Sequence, residues 1–415
     1  MKILKRVIRI LKNRPEVILR KVVHRLPKVI KGKLLNFPSP SHMQQQVKQI
    51  IETYQGDIFV FPLPSCPWGY MFQRPQQIAR ALAQEGKLVF YLVDTSFPFM
   101  PDWKVRGALK VEPNLYLFND NAGGLELIKA CSNRRLMVWQ YWPHQRETIA
   151  NWEKQHNMFK NYDCIDFIET FDQYEQITVD FEKSIIESDC LIATAKSIVK
   201  DLQRYEKNAV YIPNAVAIED FEQYELFDWP LLSKAKKENK TIIGYYGAIA
   251  DWFDFEVVTY MAKRNPNWMI VLVGEVYPSV ETQVQQLIST SNIAVLPRVS
   301  YSKIPHLLSF FDVAILPFLI NQITLNTSPV KVFEYLAGGK CVVSTPLPEV
   351  LEIEGVLIGE TKQQFELQVK EALNSNNNPN HILKHKQIAD QHTWKNRIKQ
   401  LYEVLERDHE KNIDF

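Results

Sequence analysis

The five cysteines, at 66, 131, 164, 190 and 341, form no C-x-x-C pair and lie far apart. Such scattering suits reduced core residues of a cytosolic protein rather than a disulfide framework. No G-x-G-x-x-G follows a predicted strand, which argues against a dinucleotide-dependent dehydrogenase. A P-loop, clustered metal ligands, a nucleophile elbow and internal repeats are missing too. No uncharged run approaches the roughly 20 residues that span a bilayer, and no signal-peptide core is present. What remains is an ordinary soluble composition, 46% hydrophobic and 23% charged. At 415 residues the chain exceeds the roughly 250 to 300 that one core supports, so two domains are expected.

Charge is unevenly spread. Residues 1–40 carry twelve Lys/Arg against a single acid, Glu16, a net +11; the rest has 37 against 46, a net −9. Within this arm Ile3/Leu4, Val7/Ile8 and Ile10/Leu11 recur at helical spacing among basic residues, as do Ile18/Leu19, Val22/Val23, Leu26 and Val29/Ile30. That is the pattern of an interfacial helix with Lys and Arg on its polar face, and it predicts attachment of residues 1–35 to an anionic membrane surface. Packing of the arm on the protein's own acidic body is the alternative. The arm has no aromatic residue before Phe37 and no binding motif, so nucleic acid is not expected as a partner.

Beyond a helix near Met43–Tyr54, strands at Asp57–Leu63 and Leu88–Asp94 flank a helix at Arg74–Gln84, a β-α-β unit. The intervening loop holds Trp68, Gly69 and Tyr70. Gly69 can admit a ligand to the backbone, and Trp68 or Tyr70 can form a sugar platform, or the aromatics simply pack. A strand at Leu136–Gln140 precedes His144. A strand near Tyr162–Ile168 holds Asp163 and Asp166. Later strands at Met269–Val273, Ile293–Leu296 and Val313–Leu316 alternate with helices, giving a second doubly wound sheet. Gly247 follows its first strand, in TIIGYYG, where a ligand can approach closely.

The most informative stretch is residues 326–350, NTSPVKVFEYLAGGKCVVSTPLPEV. Thr327 or Ser328 suits an N-cap, Pro329 the first helical position, and Gly338–Gly339 the stop. Cys341–Ser344 is a short buried strand. Lys331 opposes the helix dipole unless an anion lies at the helix start, so a diphosphate site resolves the conflict. Glu334, three residues on, can accept hydrogen bonds from a ribose diol. An ordinary surface i,i+3 ion pair explains the same two residues.

This stretch resembles the donor-binding helix of retaining glycosyltransferases with the GT-B fold, family 4-like, of the bacterial envelope polysaccharide and glycolipid type. The PLPSCPWGYMFQRPQQIARALA segment resembles their N-terminal domain. The resemblance implies an α/β chain of two Rossmann-like doubly wound domains facing a central cleft, together with the basic arm. Its parts would be an arm over 1–40, an acceptor domain over 41–220, a linker over 221–240, a donor domain over 241–392 and a C-terminal helix over 393–415. Trp394 and Arg397 match the family's last helix as structural residues.

The resemblance further implies donor contacts from Gly247, Arg298, Asn326, Thr327, Ser328, Lys331 and Glu334. Asn326 stands where the family has the first of two acids, so an amide would meet the sugar hydroxyls. The family's Arg/Lys pair after Gly247 is replaced by Asp251, Trp252, Phe253 and Asp254, which shifts phosphate binding toward Lys331. His144 and Asp166 fall where family members place a functional histidine and an acid; a structural histidine and a solvated loop acid are their alternatives, as surface solvation is for Arg298. No metal or cofactor is implied. The partners would be a nucleoside-diphosphate sugar and a glycan or lipid-linked acceptor, at the inner face of the membrane in the cytoplasm. A sugar-nucleotide epimerase and a catalytically silent nucleotide-sugar-binding scaffold are rival classes.

Overall fold

The computed structural model describes residues 36–63, 66–68, 72–94, 105–120, 122–168, 174–205, 207–376 and 378–411. The basic arm over residues 1–35, and Gly69 and Tyr70 of the predicted acceptor loop, lie outside them. The chain forms two compact units, one built up to Cys164 and closed by the segment ending at Ile192, the other built mostly from Ala193 onward.

One sheet contains β1 (Ile58–Phe61), β2 (Leu88–Leu92), β3 (Gly107–Glu112), β4 (Leu115–Asn119), β5 (Leu136–Gln140), β6 (Phe159–Cys164), β7 (Cys190–Ala193) and β8 (Ala209–Tyr211), most of it in the first unit. Its order is β3-β4-β2-β1-β5-β6-β7-β8. β1 and β2 are apolar throughout, β5 is apolar up to Gln140, and all three are buried on both faces, as central parallel strands require. The helix Arg74–Gln84 appears with the predicted bounds. The antiparallel edge hairpin β3/β4 was not expected; Asn114, with φ 60°, turns it. β6 also departs from expectation. It lies three residues before the predicted start, which buries Asp163 within the strand and leaves Asp166 beyond its end.

The second unit contains β9 (Thr241–Tyr246), β10 (Trp268–Val273), β11 (Ile293–Leu296), β12 (Val313–Leu316), β13 (Cys341–Ser344) and β14 (Val356–Ile358). They form a six-stranded sheet, β11-β10-β9-β12-β13-β14, with every pair parallel. From β9 the chain winds outward through β10 to β11; from β12 it winds the other way. The adjacent strands β9 and β12 are therefore the topological switch point, and the crevice beyond their carboxyl ends is where such sheets bind ligands.

All five cysteines are free thiols, four of them buried. Burial pushes Cys66 and Cys131 up to about 12.

Candidate functional site at a topological switch point

β9 ends at Tyr246 and is followed by Gly247, whose φ of 142° is strained for any side chain. A Cβ on Gly247 would fall 2.1 Å from Lys331 Cε and 2.9 Å from its Nζ. The absent side chain thus leaves the notch that the lysine occupies. Lys331 opens the helix Val330–Ala337, reached through the loop after β12, so the fold brings together two predicted site residues distant in sequence. The ammonium lies 6.0 Å from the Tyr245 ring centroid, and among the described residues no carboxylate is within ion-pair distance of it. Burial lowers its pKa, with the Glu334 charge opposing. A desolvated cation at the positive end of a helix is costly alone, and an anion in the crevice offsets that cost.

Glu334 lies one turn on, only 5% exposed, and its Oε2 accepts a hydrogen bond from the Tyr246 hydroxyl at 2.7 Å. Burial raises its pKa from 4.5 to about 7, while the Tyr246 hydrogen bond and the Lys331 charge pull the other way. Lys331 and Glu334 are therefore not an exposed ion pair. Lys331 is half-buried with its ammonium over the Tyr245 ring, and Glu334 is buried and held by Tyr246.

The loop between β12 and this helix corrects one expectation. Pro329 occupies the N-cap position and makes no side-chain cap. Ser328 is buried, and its Oγ accepts from the Asn214 backbone N–H at 3.1 Å while its carbonyl accepts from Asn214 Nδ2 at 2.6 Å. Thr327 Oγ1 donates to the Ile323 carbonyl at 2.8 Å. Neither residue caps the helix, because each hydroxyl is engaged elsewhere. Asn326 is 8% exposed and its Nδ2 donates to the Gln322 carbonyl at 2.6 Å, so its amide nitrogen braces the loop. Arg298 follows β11 and lies 3.9 Å from Glu275, which follows β10, at the same carboxyl edge of the sheet. A cavity of about 220 Å³ beside Ser328 and Phe333 is lined by its own polar pairs, Tyr211 with Glu349 and Lys196 with Glu352, and by no other predicted site residue.

In the first unit His144 is exposed in a single 3-10 turn after β5, as its position past a strand end implied. Its neighbour Gln145 does the structural work: its Oε1 accepts from the Tyr141 and Trp142 N–H groups and its Nε2 donates to the Pro62 carbonyl. Asp166 is partly buried, and burial pushes its carboxyl up to about 7. Trp68 is no platform. It is 8% exposed and packs edge-on against Tyr91 and Phe72, each 5.2 Å between centroids.

Sequence reasoning missed the strongest polar cluster of this unit. Arg74 Nε and Nη2 donate to Asp163 Oδ2 and Oδ1 at 2.8 and 3.0 Å, and Trp139 Nε1 donates to Oδ2 at 3.1 Å. The available signal was an arginine at the first position of the helix Arg74–Gln84.

Residues 242–375 match the family model described as Glycosyl transferases group 1. Over 141 residues the chain is 27% identical to the putative teichuronic acid biosynthesis glycosyltransferase TuaH of Bacillus subtilis (strain 168), covering 33% of this chain and 36% of that protein. The chain thus spans about a third of the length of the curated relative it matches. Among solved structures, sucrose-phosphate synthase from Thermosynechococcus elongatus superposes with a TM-score of 0.63 at 14% identity, over 86% of this chain and 100% of that one. HepE of Anabaena, solved in complex with UDP and glucose, gives 0.61 at 13% identity, over 85% and 100%. These likenesses establish the GT-B fold expected from the donor-helix motif.

Proposed function

We propose that this chain is a glycosyltransferase that moves a sugar from a nucleoside-diphosphate donor, with retention at the anomeric carbon and without a metal, to a lipid-linked or polysaccharide acceptor at the cytoplasmic membrane face. The observation that carries this reading is Lys331: a desolvated cation with no ion-pair partner among the described residues, seated in the Gly247 notch at the sheet's switch point. The group 1 match encloses it together with Gly247, Arg298, Asn326, Thr327, Ser328 and Glu334.

In this mechanism Lys331 and the N–H groups that open its helix stabilise the charge that grows on the diphosphate as its bond to the sugar breaks. Gly247 admits the phosphates to the backbone. Glu334, held by Tyr246, accepts from the ribose diol; Arg298 reaches the base or a phosphate; Asn326 meets the sugar hydroxyls. His144 and Asp166 act on the acceptor side. The basic arm brings the enzyme to an anionic leaflet, each basic residue contributing about 1 kcal/mol near the surface.

The reading is tested by calorimetric titration with UDP, GDP, ADP and their common sugar conjugates. One nucleotide is expected to bind selectively, and binding by none of them sinks the proposal. Binding without hydrolysis or transfer indicates a silent scaffold, the reading that Asn326 and the replaced Arg/Lys pair favour. Turnover of the donor with no acceptor present indicates an epimerase.

A pH dependence follows from Glu334. Its folded pKa is raised, so its contribution to stability is complete below about 4.5 and is lost as pH rises through about 7. Ionisation that costs stability improves the ribose acceptor. Affinity for a nucleotide sugar, whose doubly esterified diphosphate keeps a fixed charge, is expected to tighten from about pH 6 to about pH 8. Glu334→Gln is expected to flatten that profile, and titrations across this range check it.

A further inference from the structure

Strand alternation turns Tyr245 and Tyr246, neighbours at the end of β9, to opposite faces of the sheet. The helix Val330–Ala337 draws on both. Tyr246 holds Glu334 through its hydroxyl, and the Lys331 ammonium lies over the Tyr245 ring.

Tyr245 is fully buried and fixed from three sides. Its ring stands edge-on to Phe253, 5.1 Å between centroids, and to Phe318 at 6.0 Å. Its hydroxyl donates to the Ala248 carbonyl at 2.7 Å, which satisfies the buried phenol and pins the turn after β9 to its own strand. The turn is also held by the backbone that follows β10. The Gly247 and Ile249 N–H groups donate to the carbonyls of Val273 and Glu275, both at 2.9 Å, and a Cβ on Gly274 would fall 1.7 Å from the Gly247 carbonyl oxygen. The notch at Gly247 is therefore walled by fixed backbone and faced by a fixed aromatic ring, whose hydroxyl would stand 2.9 Å from a Gly247 Cβ.

Lysine is among the side chains that lose most freedom on ordering, and this one also opposes the helix dipole. A carboxylate beside it would hold the ammonium but would repel a phosphate. The face of an aromatic ring attracts a cation, the more so where the cation is partly desolvated, and brings no formal charge. At 6.0 Å from the centroid the ammonium is at the outer reach of that attraction, so the ring orients the lysine without neutralising it.

We propose that Tyr245 is a positioning residue of the donor site, which orders the Lys331 ammonium before a diphosphate arrives and leaves its charge available to that anion. The inference rests on the donor reading of Lys331 and adds to it a residue that acts through the lysine.

The test is calorimetric titration of nucleoside diphosphates into Tyr245→Leu, Tyr245→Phe, Lys331→Met and the Tyr245→Leu with Lys331→Met pair. Tyr245→Leu is expected to weaken binding about tenfold, and Tyr245→Phe, which keeps the ring, to stay within about threefold of wild type. In the Lys331→Met background Tyr245→Leu is expected to change affinity no further, because the ring has no cation left to hold. A loss that persists in that background overturns the proposal, since the tyrosine would then act on the turn or the core alone. Where the leucine variant perturbs folding, pentafluorophenylalanine in place of Tyr245 keeps the shape and removes the attraction of the ring face. It is expected to bind several-fold more weakly than Tyr245→Phe, and equal affinity of those two overturns the proposal. Wild-type binding by Tyr245→Leu, with binding lost in Lys331→Met, overturns the part given to Tyr245 and leaves the donor reading in place. Failure of the wild-type chain to bind any nucleotide overturns both.

Discussion

Lys331→Met is expected to weaken nucleoside-diphosphate binding on the order of 100-fold, close to 3 kcal/mol, because it truncates one partner of a partly desolvated, charge-assisted contact. The same substitution is expected to leave the unfolding midpoint unchanged or higher. Without a bound anion the ammonium is desolvated in the Gly247 notch with no ion-pair partner among the described residues, and methionine fills similar volume without that cost. Lost affinity with retained or improved stability separates a ligand site from a structural lysine, whose removal would lower both. Calorimetry with UDP, GDP and ADP, run beside thermal unfolding, checks the pair of outcomes. A variant that binds as tightly as wild type removes Lys331 from the site.

Asp163→Ala is expected to cost about 3 to 5 kcal/mol of stability, the usual penalty for deleting one partner of a buried ion pair. Asp163 is fully buried and Arg74 is 4% exposed. The substitution removes the carboxylate that neutralises Arg74 and the acceptor of the Trp139 indole N–H. Replacing both charges, Arg74→Met with Asp163→Leu, is expected to recover most of the loss, since apolar residues of similar volume commonly match a buried pair in stability. Urea titrations of the single and double variants decide it: a fall in midpoint for the double variant as large as for the single one would mean that the charges act through something other than their mutual pairing.

Most of the second sheet was legible because its strands are short apolar runs bounded by glycine, proline and charge. Ile293–Leu296, Val313–Leu316 and Cys341–Ser344 appear with their predicted bounds. β6 was misplaced because its sequence, FKNYDC, hides a buried strand behind polar residues. Asn161 Nδ2 donates to the Val138 carbonyl and Asp163 pairs with Arg74, partners far away in the chain that local pattern cannot reveal. The caps failed for the same reason, since Ser328 answers to Asn214 and not to its own helix. Of the candidate site, Gly247, Lys331 and Glu334 were readable as types at the right spacing. The burial of Glu334, and the part played by Tyr246, came only from the fold.

The thiols offer a practical opening. Burial holds Cys66 and Cys131 near 12, so at neutral pH they carry almost no nucleophilic thiolate, and Cys341 is raised in the same direction. A solvent-facing Ile320→Cys would then outcompete these three for a maleimide dye. Fluorophore attachment at this exposed position can therefore proceed without stripping them from the native background.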